Sequence, residues 1–308
     1  MSDVYTSYSG NTITAQTQEY YDNLFLTRAV PSFVFRQLGR MGQFQNGTGP
    51  IVRWLKYTNM TPTTTALSEG VDPDSVAISS TFQTAQASQY GYVVKPTDIF
   101  NLTSVDPVLE AIIELLADQS ANSIDDVIQA VLAAGGTAQY GTGVAARNSL
   151  AVTDVYTVAG LRKAIRTLKG FNIGAHSENE YVAVIHPFQT YDLQGDTKWE
   201  ALTQYTDAGR ANPLNGTIGK LYGTRFLETS QASVLTNSGS AASEVYLSYV
   251  FGKEAFGVTD LQNLTTYVDS PDPTSALRMR SRVGWKASFA AKVLNPSAYV
   301  RLETSCSA

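Results

Sequence analysis

The sequence predicts a mixed α+β chain, and three observations carry that prediction. A long amphipathic helical pattern, VLEAIIELLADQSANSIDDVIQAVLAAGG, fills much of residues 106–136. A strand-like IVRWLKY at 51–57 is followed by an extended stretch, Ser75–Val94, that carries no charged side chain. The closing stretch 276–303, ALRMRSRVGWKASFAAKVLNPSAYVRLE, alternates polar and apolar residues as strands do.

Composition bounds the rest. The chain has 308 residues, 43% of them hydrophobic and only 16% charged, where about a quarter is usual. A surface so poor in charge is expected to be covered by other protein. The net charge of −5 argues against non-specific nucleic-acid binding as the main activity. A single cysteine, Cys306, excludes an internal disulfide framework or a cysteine metal site. The N-terminus lacks the basic start and apolar run of a signal peptide. No run reaches the roughly 18 apolar residues of a membrane helix, so no membrane role is expected.

Taken in order, residues 1–45 read as an N-terminal arm or an ordinary helical hairpin. A helix over Thr17–Arg28 spaces Tyr21, Leu24, Phe25 and Arg28; Pro31 interrupts it, and a turn with Val34, Phe35 and Leu38 follows before Gly39. Residues 46–98 open on Asn46-Gly47-Thr48-Gly49-Pro50 turn chemistry. Pairing 51–57 with 76–95 gives a long hairpin. One of its arms would run about 20 residues, or ~65 Å. Fixing that arm costs on the order of 20–40 kcal/mol of backbone entropy. Its few large apolar side chains each return ~2 kcal/mol on burial, and each hydrogen bond adds about 1 kcal/mol. Such an uncharged ribbon needs a partner to cover it, and another copy of the chain is the expected one.

Asp106 can cap the long helix with Pro107 in its first turn, and Gly135-Gly136 stops it; Ser120–Ser123 could kink it. A second helix, Thr157–Gly170, turns Val158, Leu161, Ile165 and Leu168 inward and Arg162, Lys163, Arg166 and Lys169 outward. Tyr181–Ile185 is a short buried strand, and mixed signals continue to about residue 255. In the C-terminal strands Met279, Val283, Trp285 and Ala287 lie on one face. Arg278, Arg280, Arg282 and Lys286 lie on the other. That basic face is expected to meet acidic residues of a neighbouring subunit, with DNA contact as the alternative.

No catalytic, cofactor-binding or metal site emerges. His186 ends a strand before Pro187 and reads as structural, and neither it nor His176 has clustered carboxylates. Asp125-Asp126 reads as a solvated helix face. GGTAQYGTG (135–143) follows a helix and lacks a Gly-Lys-Ser/Thr ending, so it reads as a loop and not a phosphate cradle.

Several motifs together resemble one family. Leu67-Ser68-Glu69-Gly70 with Pro73, then Gln89-Tyr90-Gly91, form the first block. His186-Pro187 with Asp192-Leu193 form the second, and Gly216-Thr217-Ile218-Gly219 with Gly223, Arg225, Glu228 and Thr229 the third. Gly284-Trp285-Lys286 through Leu294-Asn295-Pro296 form the last. The order and spacing resemble the major capsid proteins of short-tailed phages related to coliphage N-four, which adopt the HK97-type fold. The resemblance implies an N-terminal arm (1–45), an extended hairpin loop (46–98), a peripheral domain with a spine helix at about 106–134 (99–150 and 255–308), and an axial domain (151–254). It implies hexamers and pentamers of an icosahedral shell around double-stranded DNA, in a virion assembled in the host bacterial cytoplasm. A portal at one vertex, a separate scaffolding protein and a decoration protein are the further partners implied. Covalent cross-linking is not carried over.

Within that frame Arg53, Trp54, Glu69, Phe82, Tyr90 and Tyr92 are the expected inter-subunit contacts, with Arg53 and Glu69 pairing between subunits. Two rivals stand beside this reading. One is an encapsulin-like bacterial nanocompartment shell of the same fold. The other is a soluble α/β enzyme, which predicts a monomer or small oligomer with a pocket of titratable groups.

Overall fold

The computed structural model describes residues 20–307 apart from 30–32, 43, 45–48, 59, 68, 71, 73–74, 105–107, 142, 177–178, 200–218, 271, 273–275 and 278. Residues 17–19 of the expected arm helix, Pro31, the Asn46-Gly47-Thr48 turn, Ser68, Pro73, Asp106 with Pro107, Gly216–Ile218 and Arg278 lie outside the described residues.

A helix over residues 20–29 (α1) leads through a 3-10 turn, Arg36–Leu38, to β1 (Arg40–Met41). The hairpin pairs β2 (Ile51–Tyr57) with β3 (Ser80–Gln86), and β4 (Ser88–Val94) follows at once. α2 (Asp98–Thr103) and the long α3 (Val108–Ala133) come next, then β5 (Thr137–Tyr140), α4 (Val158–Gly170), β6 (Tyr181–Ile185) and α5 (Pro187–Gln194). The chain then forms β7 (Lys220–Leu221), β8 (Thr224–Glu228), β9 (Val234–Leu235), β10 (Val245–Phe251), β11 (Phe256–Asp269), β12 (Arg282–Val293) and β13 (Tyr299–Thr304).

These strands build three sheets. A four-stranded sheet runs β1-β11-β12-β4, and a seven-stranded sheet runs β5-β13-β10-β6-β8-β7 with β9 on β10. β2 and β3 stand as a two-stranded ribbon. The central strands of the seven-stranded sheet are buried on both faces, which is why YVAVI and VYLSYVF are largely apolar runs. Val182, Val184, Leu247, Tyr249 and Phe251 face the core of α3 and the four-stranded sheet. Ala183, Ile185, Val250, Val300 and Leu302 face a second core under α4. β13 pairs with β10 and β5 pairs with β13, so this sheet crosses the boundaries drawn at 151 and 254.

The C-terminus of α3 shows how the two cores are joined. The Tyr299 hydroxyl donates to the Leu132 carbonyl at 2.8 Å, and the Arg301 guanidinium donates to the Ala133 and Gly135 carbonyls. A cation here satisfies orphan carbonyls and complements the helix dipole. Arg301 and Arg147 both donate to Glu303, whose side chain is fully buried. Gly136 adopts φ 77°, and a Cβ there would run into the Tyr299 ring.

Five expectations need correction. The arm of about 20 residues is two seven-residue strands in different sheets, β3 on β2 and β4 on β12, with the switch at Ala87. The Ala87 N–H donates to the Pro50 carbonyl at 2.9 Å and pins the switch. α3 runs unbroken through Ser120–Ser123. There Ser120 and Ser123 each donate 2.8 Å hydrogen bonds to carbonyls one turn back, Ala117 and Gln119. Asp125 is buried at 4% exposure, not solvated. Residues 137–140 form a parallel strand on β13 within the expected loop. Met279 is 49% exposed and does not join Val283, Trp285 and Ala287 in the core.

Asp125 has a definite structural task. Its carboxylate accepts from the backbone N–H groups of Val34 at 2.7 Å, Phe35 at 3.2 Å and Arg36 at 3.2 Å. The 3-10 turn thus has its N-terminal donors satisfied by a side chain 90 residues away in sequence. Burial pushes the Asp125 pKa up, against the opposing pull of the three N–H groups. On the neighbouring turns Arg28 bonds Glu114 at 2.5 Å and Asp118 at 2.8 Å, docking α1 on α3.

Candidate self-assembly surface

The β2–β3 ribbon has two unlike faces, because side chains alternate along each strand. Val52 and Trp54 point inward and form a small core with Leu294, Phe44 and Ala85. The Trp54 indole lies over Gly257, where an added Cβ would approach it to 2.9 Å. The opposite face carries Ile51, Leu55, Tyr57 and Phe82, with Leu55 directly across from Phe82. Leu55 is 42% exposed and Phe82 59% exposed. The loop beyond adds Met60, Leu67, Val76 and Ile78, all exposed. A largely apolar face of this extent on a two-stranded ribbon, with Arg53 as the cation between Ile51 and Leu55, marks an interaction surface.

The expected contact residues separate into groups. Arg53, Glu69, Phe82 and Tyr92 are exposed. Arg53 and Glu69 have no ion-pair partner among the described residues. Trp54 is buried at 7% exposure against its own chain, so its packing is internal. Tyr90 sits half-buried on β4, its ring 5.0 Å from that of Phe289.

The basic face also divides. Arg280 lies 3.4 Å from Asp272. Arg282 lies 2.5 Å from Asp269 and 3.9 Å from Asp272. Both therefore have counter-charges in the same chain, while their guanidiniums stay partly exposed. Lys286 lines a shallow cavity of about 480 Å³ over Gly91 and Gly284, walled by Val93 and Tyr267.

The sequence reading missed α2. Thr97 caps it by accepting from the Phe100 N–H, and Ile99, Phe100 and Leu102 are 63%, 54% and 82% exposed. A Thr-Asp start before Ile-Phe was the available signal.

The titratable groups play structural parts. His186 Nδ1 accepts from the Phe188 N–H at 3.2 Å, and Gln189 accepts from the His186 N–H, completing the N-cap of α5. Burial lowers the His186 pKa, with Glu228 opposing. Burial pushes the Cys306 thiol up to about 12, so it is not a poised nucleophile. Among the described residues no group of three His, Cys, Asp or Glu side chains could hold a metal ion, and no helix is long and apolar enough to cross a membrane.

A projecting ribbon, a long helix over a β-sheet and a second sheet whose central strands are buried on both faces define a shell protein of the HK97-type fold. The chain belongs to the phage capsid protein family, whose sequence profile matches residues 81–302. No curated protein matches its sequence. Among solved structures, the capsid of Ralstonia phage GP4 is similar with a TM-score of 0.72 at 14% identity, covering 90% of this chain and 92% of that one. The capsid of cyanophage Pam1 follows at TM-score 0.70 and 13% identity, over 91% and 92% of the two chains. A virus-like particle from Pyrococcus furiosus shares the fold at TM-score 0.55 and 11% identity, over 93% and 99%. The protein is therefore a structural component of a virion capsid, built of many copies of itself, and not an enzyme.

Proposed function

We propose that this chain is the major head protein of a short-tailed phage related to coliphage N-four, forming hexamers and pentamers of an icosahedral shell around double-stranded DNA. The observation that carries the assembly mechanism is the outer face of the β2–β3 ribbon, where Leu55 and Phe82 oppose each other uncovered. A neighbouring copy covers this face, and Arg53, Glu69 and Tyr92 flank the contact. Each contact is small, and closure of the shell follows from the many that every subunit makes. The N-four-like assignment is supported by the four motif blocks in order along the chain. The division into arm, hairpin loop, peripheral and axial domains follows the same likeness, with β5 and β13 grouped with the axial sheet they extend. The portal, scaffolding and decoration partners belong to the same proposal, as does assembly in the host cytoplasm.

Negative-stain microscopy of the purified protein tests the reading. Closed angular particles are expected, with nuclease-protected duplex DNA inside virion-derived ones. Particles that hold a cargo enzyme and no DNA would move the assignment to a nanocompartment shell, and a compact monomer under virion-like conditions would refute it.

A further inference from the structure

With Arg280 and Arg282 neutralised by Asp272 and Asp269, the free positive charge of the molecule lies elsewhere. α4 carries Arg162, Lys163, Arg166 and Lys169, all exposed, while Val158, Leu161, Ala164, Ile165 and Leu168 are buried beneath them. No acidic residue occurs between positions 155 and 175. None of the four cations has a carboxylate partner among the described residues. Elsewhere Arg28, Arg36, Arg40, Arg147, Arg282 and Arg301 each meet an acid, and among the described residues the arginines without one, Arg53 and Arg225, lie on separate strands and not together on one face. Arg162 is held over the Tyr222 ring at 5.4 Å, which fixes one end of the stripe. Arg162, Arg166 and Lys169 stand at i, i+4 and i+7 and so share one side of the helix over about 10 Å.

We propose that this stripe is a nucleic-acid contact that takes the phosphate backbone of double-stranded DNA. A duplex presents one negative charge per ~1.7 Å of axis, so a cationic row of this length meets several phosphates. Protein–protein contacts are depleted in lysine at their cores, whereas sequence-independent phosphate contacts use exposed Lys and Arg of this kind. The net charge of −5 keeps the attraction local to α4 and readily reversed. The proposal rests on the shell reading for where the DNA lies, with α4 turned to the interior.

The test titrates unassembled subunits against a short fluorescent duplex of mixed sequence and follows anisotropy at increasing salt. Four phosphate contacts give a log–log salt slope near −3.6, so wild-type affinity falls ~150-fold between about 50 and 200 mM salt. The variant Arg166→Gln/Lys169→Gln is expected to halve the slope, with affinity falling only ~12-fold over the same range. Arg280→Gln/Arg282→Gln is expected to leave the slope unchanged. Absence of duplex binding by the wild type, or an unchanged slope in the α4 variant, overturns the proposal. Microscopy of the same proteins separates the two claims. If the α4 variant alone fails to form particles, the stripe meets a neighbour's acids and the DNA contact is wrong. If wild-type subunits form no particles, the shell reading fails, while the titration still reports on the stripe.

Discussion

Replacing Phe82 by alanine separates folding from assembly. Full burial of a phenylalanine side chain is worth up to ~3 kcal/mol. Phe82 is 59% exposed in the single chain. Roughly half of that value, ~1.5 kcal/mol, is thus still to be gained when a neighbour covers it. Each subunit presents one ribbon, so Phe82→Ala removes about that much from each subunit's place in the shell. Since 1.4 kcal/mol is a factor of ten, the concentration needed for assembly should rise ~10-fold. Denaturation of the unassembled subunit should change by no more than about 0.5 kcal/mol, as for other surface sites. Light scattering against subunit concentration measures the first quantity, and urea unfolding the second. Trp54→Ala is the internal comparison: its indole fills the chain's own small core, and its loss should destabilise the lone subunit by ~3–5 kcal/mol. An unchanged assembly threshold for Phe82→Ala, or a loss of subunit stability as large as that of Trp54→Ala, would refute the assignment of this face to a neighbour.

Three further outcomes follow from the geometry. Asp125→Ala orphans three backbone donors of the arm turn, at ~1–3 kcal/mol for each group left unsatisfied, whereas Asp125→Asn retains an acceptor and should lose less; limited proteolysis near residue 36 and urea melts read both. His186 has its pKa lowered by burial, so the unfolded chain binds the proton more readily. Stability from this group is fully present above about pH 6.5 and declines as the pH falls through the folded value; thermal melts of subunits between pH 7.5 and 5 should show the loss, and His186→Asn, which keeps a capping acceptor without titrating, should remove that portion of it. Gly136→Ala combines positive φ with a clash on the Tyr299 ring. It should destabilise the subunit by ~2 kcal/mol or more in urea melts, and Tyr299→Leu in the same background should recover part of the loss.

Much of this architecture can be read from local pattern. α3 and α4 appear where apolar spacing places them, Thr157 caps α4 by accepting from the Gly160 N–H at 3.2 Å, and Gly135-Gly136 stops α3. Each of these depends on residues a few positions apart, and such spacing is written directly in the chain. The exposed apolar ribbon was legible for the same reason, since alternation within β2 and β3 shows a strand whichever partner it takes.

Partner choice was not legible. Nothing local states that the uncharged stretch passes from β2 to β12 at Ala87, because both partners are distant and the side-chain pattern continues across the break. Asp125 looked solvated since its ligands, the N–H groups of residues 34–36, are backbone atoms that every residue has. Arg280 and Arg282 looked free until the β11–β12 hairpin brought Asp269 and Asp272 beside them. The sequence by itself determined the long helices and the strand patterns, though not α2 or β5, together with the poverty of charge and the expectation of a covering partner. Only the tertiary structure decided which charges cancel and which face stays bare, because Coulomb and packing energies depend on distances through space and not along the chain.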